Sequence, residues 1–325
     1  MQKMLPKILA TRKLPSAVEA RLSERYDVRL NPDDRPLNRA QLSAAMVRYD
    51  ALVSTVSDAL DASILQAPQR RVRMIANVGV GFSNIDMKAA GRANINVSNT
   101  PDVLTEATAD IALLLILAST RRTSAAEKKL RQGDWRGFSV VDDLGTSVQG
   151  KTLGIIGMGR IGRATARRAH FGLGMQVIFY HRTRLADPAE VLGFTARQVD
   201  GIDALMATSD VVSVHVPGGG AGPLISARHI AQMKPSGYLI NTARGDSIDQ
   251  KALVAALVEG RIAGAGLDVY ADEPKVPDAL LQLDNVTLLP HMGSATAEVR
   301  VAMGMLAVDN LDGFFDGSGL VNQVF

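Results

Sequence analysis

The chain of 325 residues contains no cysteine. That excludes disulfides, thiolate metal sites and a cysteine nucleophile, and no metal site of another kind is expected. Aromatic residues make up 4%, with a single tryptophan. Platforms for base stacking are therefore scarce, and the basic side chains are scattered, so no nucleic-acid partner is expected. Charge of one sign is also lacking: 36 basic residues face 33 acidic ones, a net of +3. No long hydrophobic run exists either. The longest, Ile111–Ala118, falls well short of the ~20 apolar residues that span a bilayer. Residues 1–13 lack the continuous apolar core of a secretory signal, so no membrane partner and a cytoplasmic location are expected. What remains is 46% hydrophobic and 21% charged, enough for a packed core. At ~100–200 residues per domain, about two domains are expected.

Apolar bursts alternate with helical stretches. Lys7–Thr11, Asp50–Val56, Arg73–Val78 and Ile95–Ser98 read as strands, with helices over Pro15–Tyr26 and Asn38–Tyr49, the second capped by Asn38. The second half repeats the style. Thr152–Ile156, Gln176–Tyr180, Val211–Val216, Tyr238–Asn241, Gly264–Val269 and Val286–Leu289 read as strands, with helices such as Arg160–Phe171 and Asp249–Glu259 between them. Such alternation implies parallel sheets covered by helices on both faces. Between the halves, Thr105–Arg131 reads as one long helix, apolar almost all round from Thr108 to Ala118 and therefore buried. Its pattern fits a core helix or a helix at a dimer interface. A further amphipathic helix is expected over Ala295–Phe315, leaving no room for an appended regulatory domain.

Gly157-Met158-Gly159-Arg160-Ile161-Gly162 follows an apolar strand and opens a helix. In that context the glycines allow a tight turn, close approach of a pyrophosphate and close helix–strand packing, and the helix N-terminus offers free N–H groups. An NAD site places an acid about 20 residues on, at the end of the next strand. The chain instead has His181-Arg182-Thr183-Arg184, and no acidic residue lies between Gly150 and Ala186. Arg182 and Arg184 can grip a 2′-phosphate bidentately, with Thr183 as a further donor. NADPH is therefore expected over NADH.

Three polar residues sit just past strand ends, the edge where open α/β sheets bind ligands: Arg244, Glu273 and His291. An arginine there can clamp a carboxylate. A histidine can give a proton to a carbonyl oxygen, and a glutamate can orient the imidazole and favour its charged form. In Asn77–Gly81, Gly79 and Gly81 permit a main-chain nest for an anion, and Ser83–Asp86 reads as a helix start.

In Gly154–Gly162, Tyr238–Asp246, Gly264–Pro274 and Pro290–Thr296 the chain resembles the D-isomer-specific 2-hydroxyacid dehydrogenases. The resemblance extends over essentially the whole length. It implies an α/β fold of two doubly wound parallel-sheet domains, the cofactor domain Rossmann-type and the substrate domain flavodoxin-like. Residues 1–99 and 292–325 would form the substrate domain, and 100–291 the NADP-binding domain with a dimerisation helix and arm. Arg244, Glu273 and His291 would be the catalytic residues, and Val78 and Gly79 would bind the substrate carboxylate through backbone N–H groups. Asp268 would lie near the nicotinamide carboxamide. Further cofactor contacts would come from His215, Val216 and Pro217, from Thr242 and Ala243, and from Gly293 and Ser294. Trp135 looks like the arm tryptophan that reaches the partner's substrate pocket in glyoxylate reductases, or else it is a packed surface tryptophan.

The implied partners are a small 2-oxo acid and a second copy in a homodimer. NADPH-linked reduction of glyoxylate or hydroxypyruvate is the reading, with 2-ketogluconate reduction, or a dinucleotide-sensing corepressor-like protein, as alternatives. One departure from the family pattern is the stretch Gly218–Gly222, where a Leu-Thr type segment is usual.

Overall fold

The computed structural model describes residues 4–324. The chain divides into two compact units, residues 1–104 with 294–325, and residues 105–293.

The first unit holds strands β1 (Lys7–Ala10), β2 (Asp27–Arg29), β3 (Ala51–Thr55), β4 (Met74–Val78) and β5 (Asn96–Ser98). All pair in parallel, in the order β2-β1-β3-β4-β5, which is the flavodoxin-like order. Every residue of β4 is buried, as a central strand covered on both faces requires. Helix starts follow local chemistry. Asn38 and Gln41 form a reciprocal capping box at Arg39–Arg48, and Asp86 accepts from Ala89 N–H to open Met87–Arg92. The helix Ala297–Asp316 belongs to this unit. Its Asp312 accepts from Arg21 (3.2 Å), Arg25 (2.7 Å) and the Tyr26 hydroxyl (2.6 Å), tying it to the helix Ser16–Arg25. Gly304 lets the two helices close up, since a Cβ there would lie 2.5 Å from Val18 Cγ2.

The second unit holds β6 (Thr152–Ile156), β7 (Gln176–Tyr180), β8 (Arg197–Gln198), β9 (Val211–Val214), β10 (Tyr238–Asn241), β11 (Gly264–Leu267) and β12 (Val286–Leu288). The order is β12-β11-β10-β9-β6-β7-β8, again all parallel. This is the Rossmann order extended by one strand, with its switch point between β6 and β9. Apolar clusters lie within the unit. Leu205, Val212, Leu239 and Leu253 belong to one, and Leu115, Ile155, Phe179 and Ile240 to the other.

Two expectations about the segment after residue 104 need correction. It is not one helix but two, Thr105–Thr120 and Thr123–Arg131, broken at Arg122, whose φ is +54°. The break has a tertiary cause. Thr146 N–H donates to Thr120 O (2.7 Å), and Gly145 lies so close that a Cβ would sit 2.6 Å from that same oxygen. The returning chain thus satisfies a helix-end carbonyl that the next turn would otherwise take. Nor is the first helix buried all round. Ala109, Ala112, Leu115 and Ile116 are fully buried, but Leu114 and Leu117 are 49% and 38% exposed. The following arm also exposes Trp135, Phe138, Val140, Val141 and Leu144. Among the described residues no helix is long and apolar enough to cross a membrane.

Candidate active site

The glycine turn after β6 is shaped by close contacts. Gly157 has φ +98° and donates its N–H to Tyr180 O (2.9 Å), and a Cβ there would collide with the His215 main chain. A Cβ on Gly162 would collide with Gly157 O. Gly159 differs, because nothing lies within 4 Å of where its Cβ would be. It is the N-cap of Arg160–Leu173, and no side chain caps that helix. The open side of Gly159 and the uncapped first turn suit a dinucleotide pyrophosphate. Met158 packs in the core, Ile161 is half-buried and Arg160 is exposed.

Past β7, Met158 N–H donates to His181 Nδ1 (3.3 Å). Arg182, Thr183 and Arg184 are exposed. Arg184 approaches Asp200 at 3.7 Å, both side chains being largely in solvent. Gln198, which sequence reasoning missed, holds this loop. Its Nε2 donates to His181 O (3.1 Å) and Thr183 O (3.2 Å), and its Oε1 accepts from Leu185 N–H (3.0 Å). It sits on β8, an edge strand of two residues with no apolar signature.

His215, just past β9, shares a hydrogen bond with Ser213 Oγ through Nε2 (2.9 Å). Burial pushes its pKa down to about 3, so the ring is neutral. Val216 is half-buried and Pro217 exposed. Thr242 is buried with its hydroxyl unpartnered, beside half-buried Ala243.

At the ends of β10, β11 and β12 the polar residues are tightly organised. Asn241 Nδ2 donates to Arg244 O (2.9 Å), and Asn241 Oδ1 accepts from Ala243 N–H (3.0 Å). Only a glycine at 245 fits, since a Cβ would collide with the Tyr270 main chain. Arg244 Nη1 donates to Ala243 O (2.7 Å). Burial pulls the Arg244 pKa below its usual value, opposed by the negative charges of Glu273 and Asp246.

Glu273 Oε1 accepts from Tyr270 N–H (3.0 Å), and Oε2 lies 2.7 Å from His291 Nδ1. Burial alone would raise the Glu273 carboxyl. The His291 hydrogen bond and charge, the Tyr270 N–H and the Arg244 charge outweigh it and hold the carboxyl below its usual value. His291 takes a left-handed backbone, φ +54°. Its N–H donates to Asp268 O (2.8 Å), while the Asp268 carboxylate accepts from Met292 N–H (2.7 Å) and Gly293 N–H (2.8 Å). Asp268 is fully buried, and burial raises its pKa against the pull of those two N–H groups and of His291. Gly293 is buried against this carboxylate, and Ser294 begins the stretch that belongs to the first unit. With Nδ1 held by Glu273, His291 Nε2 has no partner among the described residues. The arrangement can transfer a proton at Nε2 and bind an anion at Arg244.

In the first unit, the turn after β4 is firmly held. Gly79 N–H donates to Thr100 Oγ1 (3.0 Å), Asn77 Nδ2 to Gly81 O (3.1 Å) and Asn99 Nδ2 to Val80 O (2.8 Å). The expected nest geometry is not present, because neither Gly79 nor Gly81 takes a left-handed backbone. Gly79 is instead required for packing, since a Cβ would lie 2.6 Å from Val56 Cγ1. Val78 is buried and can offer only main chain. Trp135 is 59% exposed.

Residues 113–293 match the family model for the NAD binding domain of D-isomer specific 2-hydroxyacid dehydrogenases. A glyoxylate reductase from Thermococcus litoralis is 42% identical, over 98% of this chain and 98% of its own. A glyoxylate/hydroxypyruvate reductase B from Serratia proteamaculans is 38% identical, over 99% and 98%. Among solved structures, an NADPH-dependent glyoxylate/hydroxypyruvate reductase from Sinorhizobium meliloti, in complex with NADP and malonate, superposes with a TM-score of 0.86 at 36% identity, covering 98% of this chain and 96% of that one.

Proposed function

The chain belongs to the D-isomer specific 2-hydroxyacid dehydrogenase family, and on that premise we propose that it uses NADPH to reduce glyoxylate or hydroxypyruvate to the 2-hydroxy acid, the D isomer where a stereocentre forms. The observation that carries the reading is the 2.7 Å Glu273–His291 pair, with Nε2 open, on the same sheet edge as a half-buried arginine that has no carboxylate partner among the described residues.

Arg244 grips the substrate carboxylate. A nicotinamide dinucleotide, held at the glycine turn after β6, would supply hydride chemistry when bound. His291 gives the Nε2 proton to the carbonyl oxygen, which removes the charge developing there. Glu273, kept ionised, fixes the ring and balances its charge. Val78 and Gly79 are assigned backbone contacts to a carboxylate.

NADPH preference rests on Arg182 and Arg184 and on the missing acid. The loose, exposed Arg184–Asp200 pair leaves that guanidinium at little cost. The exposed strip of Leu114, Leu117, Phe138, Val140 and Val141 supports a homodimer, with Trp135 reaching the partner. The compartment proposed is the cytoplasm.

A panel of 2-oxo acids assayed by absorbance with both dinucleotides tests the reading. Turnover of glyoxylate or hydroxypyruvate with NADPH above NADH is expected, and loss of neither dinucleotide with either acid overturns it.

A further inference from the structure

Arg244 is held by little of its own. Among the described residues its guanidinium makes one hydrogen bond, to the carbonyl of the preceding residue, and no ion pair. Its aliphatic stem, by contrast, is closely confined. A Cβ on Gly218 would lie 2.7 Å from Arg244 Cγ and 2.9 Å from Arg244 Cβ, so the loop main chain lies flat against the stem. The same Cβ would lie 2.7 Å from Asp246 Oδ1. Asp246 in turn accepts the Gly219 N–H at Oδ2 (2.8 Å). Gly245, between Arg244 and Asp246, is pinned against the Tyr270 main chain. Two side chains leaving a fixed point thus clasp one bare stretch of backbone.

We propose that Gly218 and Asp246 are positioning residues: together they seat the stem of Arg244 and set how tightly this chain grips the carboxylate of its 2-oxo acid. The inference rests on the reading of Arg244 as the carboxylate clamp. Gly218 acts by having no side chain. Asp246 acts by tethering the loop through Gly219 N–H, and its charge is a further restraint on a half-buried cation.

The test is steady-state kinetics with glyoxylate at saturating NADPH. Gly218→Ala and Asp246→Ala are each expected to raise KM about tenfold while kcat stays within about twofold, the signature of lost uniform binding. Asp246→Asn keeps an acceptor for Gly219 N–H, so it should hold KM within about threefold of the parent, a rescue that a purely charge-based role would not show. Thermal midpoints close to that of the parent show that the variants are folded, and the Asp246 pair carries the test if Gly218→Ala is not. Arg244→Lys, a point charge without the fork, separates the two readings. If it raises KM and the Gly218 and Asp246 variants do not, the positioning role is wrong and the clamp stands. If Arg244→Lys leaves KM unchanged, the clamp itself fails and the inference goes with it.

Discussion

The two halves of one sheet edge are built in opposite ways. At the ends of β6 and β7 the chain offers bare main chain at Gly159, an uncapped helix N-terminus and exposed arginines at 182 and 184. At the ends of β10, β11 and β12 it offers a web of short hydrogen bonds among Asp268, Glu273 and His291, and the pKa values of Arg244, Asp268 and Glu273 are moved from their usual values. The contrast fits what the proposed function asks of each half. Holding a polyanion needs accessible donors and positive charge, which solvent can keep mobile. Moving a proton to one oxygen needs an imidazole fixed in tautomer and direction, and that requires neighbours already spent on holding it.

The sharpest way to break the comparison is at the organised half. His291→Ala should lower turnover by the ~10²–10⁴ typical of a lost general acid. NADPH binding, followed by nicotinamide fluorescence, should stay near that of the parent. Loss of both together would show that the two halves are not separable. Next comes the open half: Arg182→Ala with Arg184→Ala should cut the NADPH-to-NADH ratio of kcat/KM about 10²–10⁴-fold, at ~1.5–3 kcal/mol per charge-assisted contact. An unchanged ratio would remove the arginines from cofactor choice.

A smaller effect is expected from Glu273→Gln in the acid range. The parent carboxyl titrates below its unfolded value of ~4.3. Its contribution to stability is therefore present above that value and lost as pH falls through the lower folded one. The variant should show a flatter melting temperature against pH in this window. A parallel pair of curves would mean that Glu273 is not coupled to its neighbours. Smallest in stability is Gly159→Ala. No atom lies near the added methyl, so the melting temperature should hardly move, while NADPH Kd should rise about tenfold because the pyrophosphate must approach that spot. A fall in melting temperature without a change in Kd would make Gly159 a packing glycine like Gly162.

The convergence of Arg244, Glu273 and His291 was readable because each follows a strand of a parallel sheet, and parallel strands bring their C-terminal ends to one edge. The cap at Asn38 and the helix start within Ser83–Asp86 were readable for a local reason, as a side chain two or three residues away completes the bond. Strands β2 and β8 were not, because edge strands with exposed side chains carry no apolar alternation. The helix break at Arg122 has no glycine or proline to announce it. It comes from Thr146, a residue 26 positions after Thr120, taking its carbonyl. The nest reading of Gly79 failed because a glycine can serve close packing as well as a left-handed turn, and only Val56 beside it tells which.

By itself the sequence determined the layer order, the glycine turn after β6 and the placing of Arg244, Glu273 and His291 just past strand ends, because these depend on periodicity and on residue types next to strand ends. Only the tertiary structure decided that Asp268 anchors the His291 turn, that Gln198 holds the arginine loop and that Gly218 lies against Arg244. Those contacts join segments far apart in the chain, and a short-range pattern carries no record of which distant backbone arrives beside it.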